Sequence, residues 1–261
     1  YGRAINVVAD IAFTRVIKLK SQHSGLRITS SSSARVSSPI LLGNLFLVDD
    51  AINVTIENLT VGDIGDPGNG FVVFVGTAGK NLTVRNIFIE STSDVTHLVL
   101  YAPFGLTSYA GIGLKVMNCV VDDDAGTKSV SLYCQVTTTV CTGAQFIGNV
   151  NFYGGIGTPP SPGIFLYRGC LDKTVISQNV NLGKIDMSLS AASTLSDTVI
   201  SSNVMRGMII IGAAAQDFVI SGNAMGNNNI YTLNSAYNSI VGNTNVGTIT
   251  NSATDAVTSN T

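Results

Sequence analysis

Apolar and polar residues alternate along this chain, and the alternation returns at long intervals. The segments Val54–Val61, Leu82–Ile89 and Leu114–Val121 all read apolar, x, apolar, x, Asn, apolar, x, apolar. A second form follows at Phe146-Ile147-Gly148-Asn149, Ile176-Ser177-Gln178-Asn179, Ile200-Ser201-Ser202-Asn203, Ile220-Ser221-Gly222-Asn223 and Ile240-Val241-Gly242-Asn243. A period of two belongs to strands, because successive side chains leave a strand on opposite faces. Taking Ile56, Val84, Val116, Phe146, Ile176, Ile200, Ile220 and Ile240 as anchors, the spacings are 28, 32, 30, 30, 24, 20 and 20. Ile28 lies 28 residues before the first anchor, and Val257-Thr258-Ser259-Asn260 reads as a shortened last copy.

A strand repeat near 20 residues that tolerates insertions predicts an all-β chain coiled as a single-stranded parallel β-helix. Each turn is then three short strands joined by bends, and turns stack about 4.8 Å apart. About 9–10 such rungs make a rod roughly 45 Å long. Inward Ile and Val fill the core, and insertions leave the coil as loops. Asn tolerates the left-handed backbone of a sharp bend. Asn58, Asn86, Asn118, Asn149, Asn179, Asn203, Asn223 and Asn243 are therefore expected to stack as a hydrogen-bonded ladder. The Asn falls two residues after the anchor in the early copies and three after it in the later ones. Either the bend changes type near residue 130, or the anchors are offset by one there. Residues 1–25 are expected to lead into or cap the coil, and residues 26–261 to form it, with insertions mainly at 60–173.

Composition supports this class. Gly, Ser, Thr and Asn together make 101 of 261 residues, and Glu occurs only at 57 and 90. Strong helix formers are scarce, which excludes a helical bundle. The net charge of −2 provides no basic surplus for nucleic acid. No apolar run is long enough for a membrane-spanning helix. Cys119, Cys134, Cys141 and Cys170 lack metal-ligand spacing, so they are read as small core residues. Gly154-Gly155-x-Gly157 is not followed by a helix and is no dinucleotide motif. Neither metal nor cofactor is expected.

The segments Val54-Thr55-Ile56-Glu57-Asn58-Leu59 and Ile220-Ser221-Gly222-Asn223 resemble rungs of the pectin-lyase-like right-handed parallel β-helix superfamily. The resemblance covers about residues 26–245 and is closest to bacteriophage tailspike, fibre and virion decoration proteins. It implies a rigid scaffold whose chemistry sits on loops. The superfamily's enzymes do not map residue by residue. The polygalacturonase Gly-His-Gly is absent, and Arg85, Lys115 and Arg168 lack a lyase setting.

The insertions carry the candidate chemistry, since loops on rigid scaffolds hold most binding sites. Asp94, Asp122, Asp124 and Asp172 are the candidate catalytic carboxylates, because glycoside hydrolysis uses two facing acids. The run Asp122-Asp123-Asp124 also reads as a solvated turn after a strand, the commoner use of such a run. Tyr101, Phe104, Tyr109, Tyr153 and Tyr167 are candidate glycan-binding rings, whose faces suit sugar C–H groups.

Charged residues are only 11% of the chain. The segments Phe71–Val75, His97–Leu100 and Met208–Ile211 are apolar on both faces, which normally means cover on both faces. With the resemblance, this leads to an expected homotrimer at a virion surface, an extracellular location. Other virion proteins and host surface polysaccharide are its expected partners; nucleic acid and membrane insertion are not. The expected function is projection and host attachment. The alternatives are a tailspike depolymerase, either hydrolase or lyase, and a secreted monomeric polysaccharide lyase or hydrolase.

Overall fold

The computed structural model describes residues 2–38, 44–64, 70–75, 79–90, 96–101, 113–123, 130–133, 140–153, 164–167, 170–186, 196–212, 215–233, 235, 237–251 and 253–261. Among these the regular elements are all strands, apart from one short 3-10 turn at Ser21–His23. All strand pairs are parallel, and each strand pairs with its counterpart one turn further along the chain. The result is a parallel β-helix.

Among the described residues, three sheets form its main faces. Sheet A has eleven strands, running from Ala4–Asn6 through Thr55–Glu57, Lys115–Met117 and Val199–Ser201 to Ala256–Thr258. Sheet B has thirteen strands, and sheet C has four: Ile17–Leu19, Asn44–Val48, Gly70–Val75 and Thr96–Tyr101. A two-stranded pair, Val140–Thr142 with Cys170–Asp172, lies apart from them. The coil begins inside the segment expected to lead into it. Ala4–Asn6 pairs with Arg27–Thr29, Ile11–Ala12 with the strand at Arg35–Ser38, and Ile17–Leu19 with Asn44–Val48.

The anchors are in register. Ile28, Ile56, Val84, Val116, Phe146, Ile176, Ile200, Ile220 and Ile240 are Cα partners in succession. Each is buried. Neighbouring residues on these strands alternate outward, as the pleat requires.

Most sheet A strands are three residues long because left-handed residues close them on both sides. Before the strand these are Asn53, Asn81, Gly113, Gly143, Lys173, Asp197, Asp217 and Tyr237. After it they are Asn58, Asn86, Asn118, Gly148, Gln178, Ser202, Gly222, Gly242 and Ser259. The bend therefore keeps one conformation along the whole coil, and no anchor is offset.

The asparagines form two adjacent columns rather than one ladder. Asn58, Asn86 and Asn118 are themselves the left-handed residues, and they sit at the coil's surface. The Nδ2 of Asn86 donates to Oδ1 of Asn58 at 3.0 Å, and Asn58 donates to Thr29 Oγ1 at 3.2 Å. The column ends where Gly148 follows Asn118, since a Cβ there would stand 2.5 Å from Asn118 Oδ1. The next residue along points inward. It is Leu59, Ile87 and Cys119 in the early rungs, then Asn149, Asn179, Asn203, Asn223, Asn243 and Asn260. From Asn149 onward, each Oδ1 accepts from the backbone N–H of the residue one rung earlier, at 3.0 Å. Each Nδ2 from Asn149 to Asn260 donates to the anchor carbonyl one rung earlier, between Val116 and Ile240, at 2.9–3.0 Å. The inward position at this bend is thus apolar at Leu59, Ile87 and Cys119 and amide-bearing from Asn149 onward.

Sheet C corrects part of the argument for an oligomer. Val72 and Val73 are sequence neighbours and so leave the strand on opposite faces, yet both are fully buried. Leu45 and Phe46 repeat the pattern. At these positions of its two middle strands the sheet is covered on both sides by the chain itself. In the strand Ile209–Ile211, the outer two residues are fully buried and Ile210 is half-buried.

Candidate functional site

The outer face of sheet B carries the most chemistry. Its strand Phe88–Glu90 buries Ile89 and leaves Glu90 exposed. Glu90 is the register partner of Asp122 in the next strand, and Asp122 is the partner of Phe152. Asp123 is in turn the partner of Tyr153. Two carboxyl-bearing positions therefore stand one rung apart, about 4.8 Å between strands. Sequence reasoning named Asp122 but missed Glu90. The signal was present: the anchor spacing of 32 between Val84 and Val116 carries residue 90 onto residue 122.

Further along the same sheet a second column runs through six rungs. Tyr133, Tyr167, Asp186, Ile210, Tyr231 and Thr250 are successive register partners. The column beside it contains Leu132, Leu166, Ile185, Ile209, Ile230 and Ile249, of which Ile185, Ile209 and Ile230 are fully buried. In the tyrosine column, Ile210 and Tyr231 are half-buried, where Ile209 and Ile230 beside them are enclosed. Asn229 Nδ2 donates to the Tyr231 hydroxyl at 2.6 Å and fixes that ring's polar end.

The remaining expected residues distribute as follows. Tyr101 ends the last strand of sheet C, opposite Val75. Asp172 lies on the separate two-stranded pair, where its carboxylate accepts from the Ser196 N–H at 2.9 Å and from Thr142 Oγ1 at 3.5 Å. It links three successive rungs at a bend and does not share a sheet with Asp122. Asp94, Phe104, Tyr109 and Asp124 lie outside the described residues.

Sheet A's outer face holds one buried charge. The Glu57 carboxylate is fully enclosed and paired with Arg27 below and Arg85 above. Burial pushes its pKa up, but hydrogen bonds and charge from Arg85 and Arg27 outweigh burial and hold it below the ordinary glutamate value. Cys119 is the opposite case: complete burial pushes its thiol up to about 12 despite hydrogen bonding with the backbone at Ile87, Met117 and Asn86. Among the described residues, no three His, Cys, Asp or Glu side chains converge as a metal-binding group.

No family model and no curated protein matches the chain. Among solved structures, it is similar to the A-module of the Azotobacter vinelandii mannuronan C-5 epimerase AlgE6. The match covers 97% of this chain and 80% of that one, at 11% identity and a TM-score of 0.32. A likeness at that level carries no argument about chemistry.

Proposed function

We propose that this β-helix is a polysaccharide-binding rod, and that sheet B's outer face is where the glycan lies. The tyrosine column carries the reading. Tyr133, Tyr167 and Tyr231 fall in one line parallel to the coil axis, with Asp186 among them. Aromatic faces stack on sugar C–H surfaces, and a carboxylate accepts hydroxyl protons. A row on a rigid coil suits a long polymer better than a compact metabolite.

The finer form of this reading is a homotrimeric bacteriophage spike or fibre that attaches to host surface polysaccharide. Two things support it. The chain has few charges, 11%. An apolar stripe also crosses the start of sheet B, where Val150, Val180, Val204 and Ala224 are successive register partners. Val180 is 38% exposed and Val204 45% exposed, and half-buried Val175, Val199 and Val219 form a second apolar column at the start of the sheet A strands. An apolar stripe of this kind suits a subunit contact.

One observation favours a second reading, a glycan-cleaving spike. Glu90 and Asp122 are register partners one rung apart, and retaining glycosidases use two neighbouring carboxylates.

The test is titration of the purified chain with bacterial surface polysaccharides, scored for binding and for chain cleavage, alongside light scattering. Binding that Tyr231→Ala weakens, without new chain ends, supports the rod. New chain ends that Glu90→Gln abolishes would move the second reading to first place. A dilution-resistant trimer supports the spike, and a clean monomer points to a secreted protein.

A further inference from the structure

Among the described residues, the coil's first rung is paired along one edge only. Ala4–Asn6 pairs with Arg27–Thr29, Ile11–Ala12 with Arg35–Ser38, and Ile17–Leu19 with Asn44–Val48. Its inward residues therefore open on solvent. Ile5 and Ile11 are in register with buried Ile28 and Val36, yet they are 51% and 43% exposed. Val8, between them in the chain, is 68% exposed. Together with Phe13, Ile17 and Phe46 these residues line an apolar hollow of about 530 Å³.

Cations share this end. Arg3, Arg15, Lys18 and Lys20 all belong to the first rung and are exposed, against one carboxylate, Asp10. Asp10 is engaged by the second rung, where its Oδ1 accepts from the Arg35 N–H at 2.8 Å. Among the described residues, none of the four first-rung cations makes an ion pair. The second rung adds Arg27 and Arg35 against Asp49 and Asp50, so residues 1–53 keep a charge of +3. Residues 54–261 hold eight cations and thirteen carboxylates, a charge of −5. The rod thus has one basic, apolar end and an acidic body.

We propose that this end docks on an anionic lipid surface. Ile5 and Val8 enter the boundary between headgroups and acyl chains, and Arg3, Arg15, Lys18 and Lys20 meet the lipid phosphates. The combination decides the partner. A basic end suits the negative potential of an anionic bilayer. Exposed Ile and Val add nothing to a purely ionic contact such as duplex DNA, whose affinity comes from its phosphates. Reversible anchoring at a bilayer surface takes both signals together, apolar insertion and a basic patch. The inference goes beyond the glycan reading and does not rest on it, since an end-on dock leaves the sides of the coil, the tyrosine column included, free.

The experiment is co-flotation of the full chain with vesicles of phosphatidylcholine alone and of phosphatidylcholine mixed with phosphatidylglycerol. Binding to the mixed vesicles only, weakening as salt rises, is the expected result. The double variant Arg15→Gln, Lys18→Gln should weaken it by about thirtyfold, roughly fivefold for each charge near the surface. Val8→Ser should weaken it by about three- to fivefold through the lost apolar contact. All three side chains are exposed, and circular dichroism checks that the fold is kept. Lys115→Gln, at an exposed position on a middle rung, and Tyr231→Ala should change nothing. Equal binding to the two kinds of vesicle, or to neither, overturns the proposal. So does indifference to Val8→Ser, or a loss with Lys115→Gln as large as with the double variant. Tighter binding to duplex DNA at the same salt overturns it too, as does self-association through Val8 without vesicle binding. A chain that binds a neutral glycan through Tyr231 yet ignores vesicles would lose the dock and keep the rod. A chain that binds anionic vesicles but no glycan through Tyr231 would do the reverse.

Discussion

Asn179 and Asn203 are 24 residues apart in the chain and are joined by two hydrogen bonds. Asn203 Oδ1 accepts from the backbone N–H of Asn179 at 3.0 Å and from its Nδ2 at 2.9 Å. Asn203 in turn donates from Nδ2 to the Ile176 carbonyl at 3.0 Å and to Asn223 Oδ1 at 2.9 Å. All these groups are buried, so each lost partner leaves an unsatisfied polar atom, at about 1–3 kcal/mol. Asn203→Leu is near in size but strands two donors of Asn179. It should cost about 2–4 kcal/mol, read as a shift of the urea midpoint. Asn260→Leu, in the less buried last rung, should cost clearly less, because water replaces the lost partner.

The contrast shows what the sequence revealed and what it hid. Anchor spacing alone gave the register, since inward Ile and Val recur on every rung and insertions do not alter their order. The placement of Asn one residue later after residue 146 was visible too, but its meaning was not. Asn can serve as the left-handed residue, as Asn86 does, or as the buried donor and acceptor beside it, as Asn179 does. Nothing along the chain distinguishes these roles until the fold places one outside and one inside. Glu90 was readable from the anchor spacing of 32. The pairing of Tyr133 with Tyr167 was not. They lie 34 apart where the anchors are spaced 30, because the insertions at the two rungs differ in length.

The bend column itself predicts stabilising changes. Gln178 and Ser202 hold φ near +58° and +57°, a region costly for most L-residues and best tolerated by Gly and Asn. Earlier rungs place Asn58, Asn86 and Asn118 there. Gln178→Asn and Ser202→Asn should each add about 0.5–1 kcal/mol, measured by chemical denaturation. Gly148→Ala should do the opposite, since its Cβ meets Asn118 Oδ1 at 2.5 Å and its φ is +67°.

Glu57 makes stability fall in acid. Its folded pKa lies below the unfolded value of about 4.5, so the folded state favours the ionised form. That stabilisation is fully present above the unfolded pKa and is lost as pH falls through the folded one. Tm should therefore decline below about pH 4.5, and Glu57→Gln should flatten that part of the curve. Arg85→Ala should cost about 1–2 kcal/mol at neutral pH. That is less than a fully buried pair, because solvent screens the half-exposed guanidinium.

Cys119 occupies the inward position that Asn149 takes one rung later, and Asn149 Oδ1 accepts from its backbone N–H at 3.0 Å. Its thiol is fully buried with a pKa of about 12, so almost no thiolate exists at neutral pH. Site-resolved mass spectrometry after iodoacetamide treatment should find Cys119 unmodified in the native chain and modified once urea opens the coil. Labelling of Cys119 in the native chain at the rate of a free thiol would contradict its enclosure.

Tyr231 separates stacking from hydrogen bonding at the proposed glycan surface. Its ring lies half-buried in the tyrosine column, and its hydroxyl accepts from Asn229 Nδ2 at 2.6 Å. If the ring face holds the sugar, Tyr231→Phe keeps the contact and loses only the Asn229 bond, so affinity should change by less than about twofold. Tyr231→Ala removes the face and should weaken binding by about 2–10-fold, the value of an aromatic contact worth roughly 0.5–1.5 kcal/mol. Calorimetry with the polysaccharide that binds the parent chain measures both. Circular dichroism tells a lost contact from a lost fold. Equal loss in the two variants would make the hydroxyl, not the ring, the recognising group, and would remove the physical basis for reading the tyrosine column as a stacking surface.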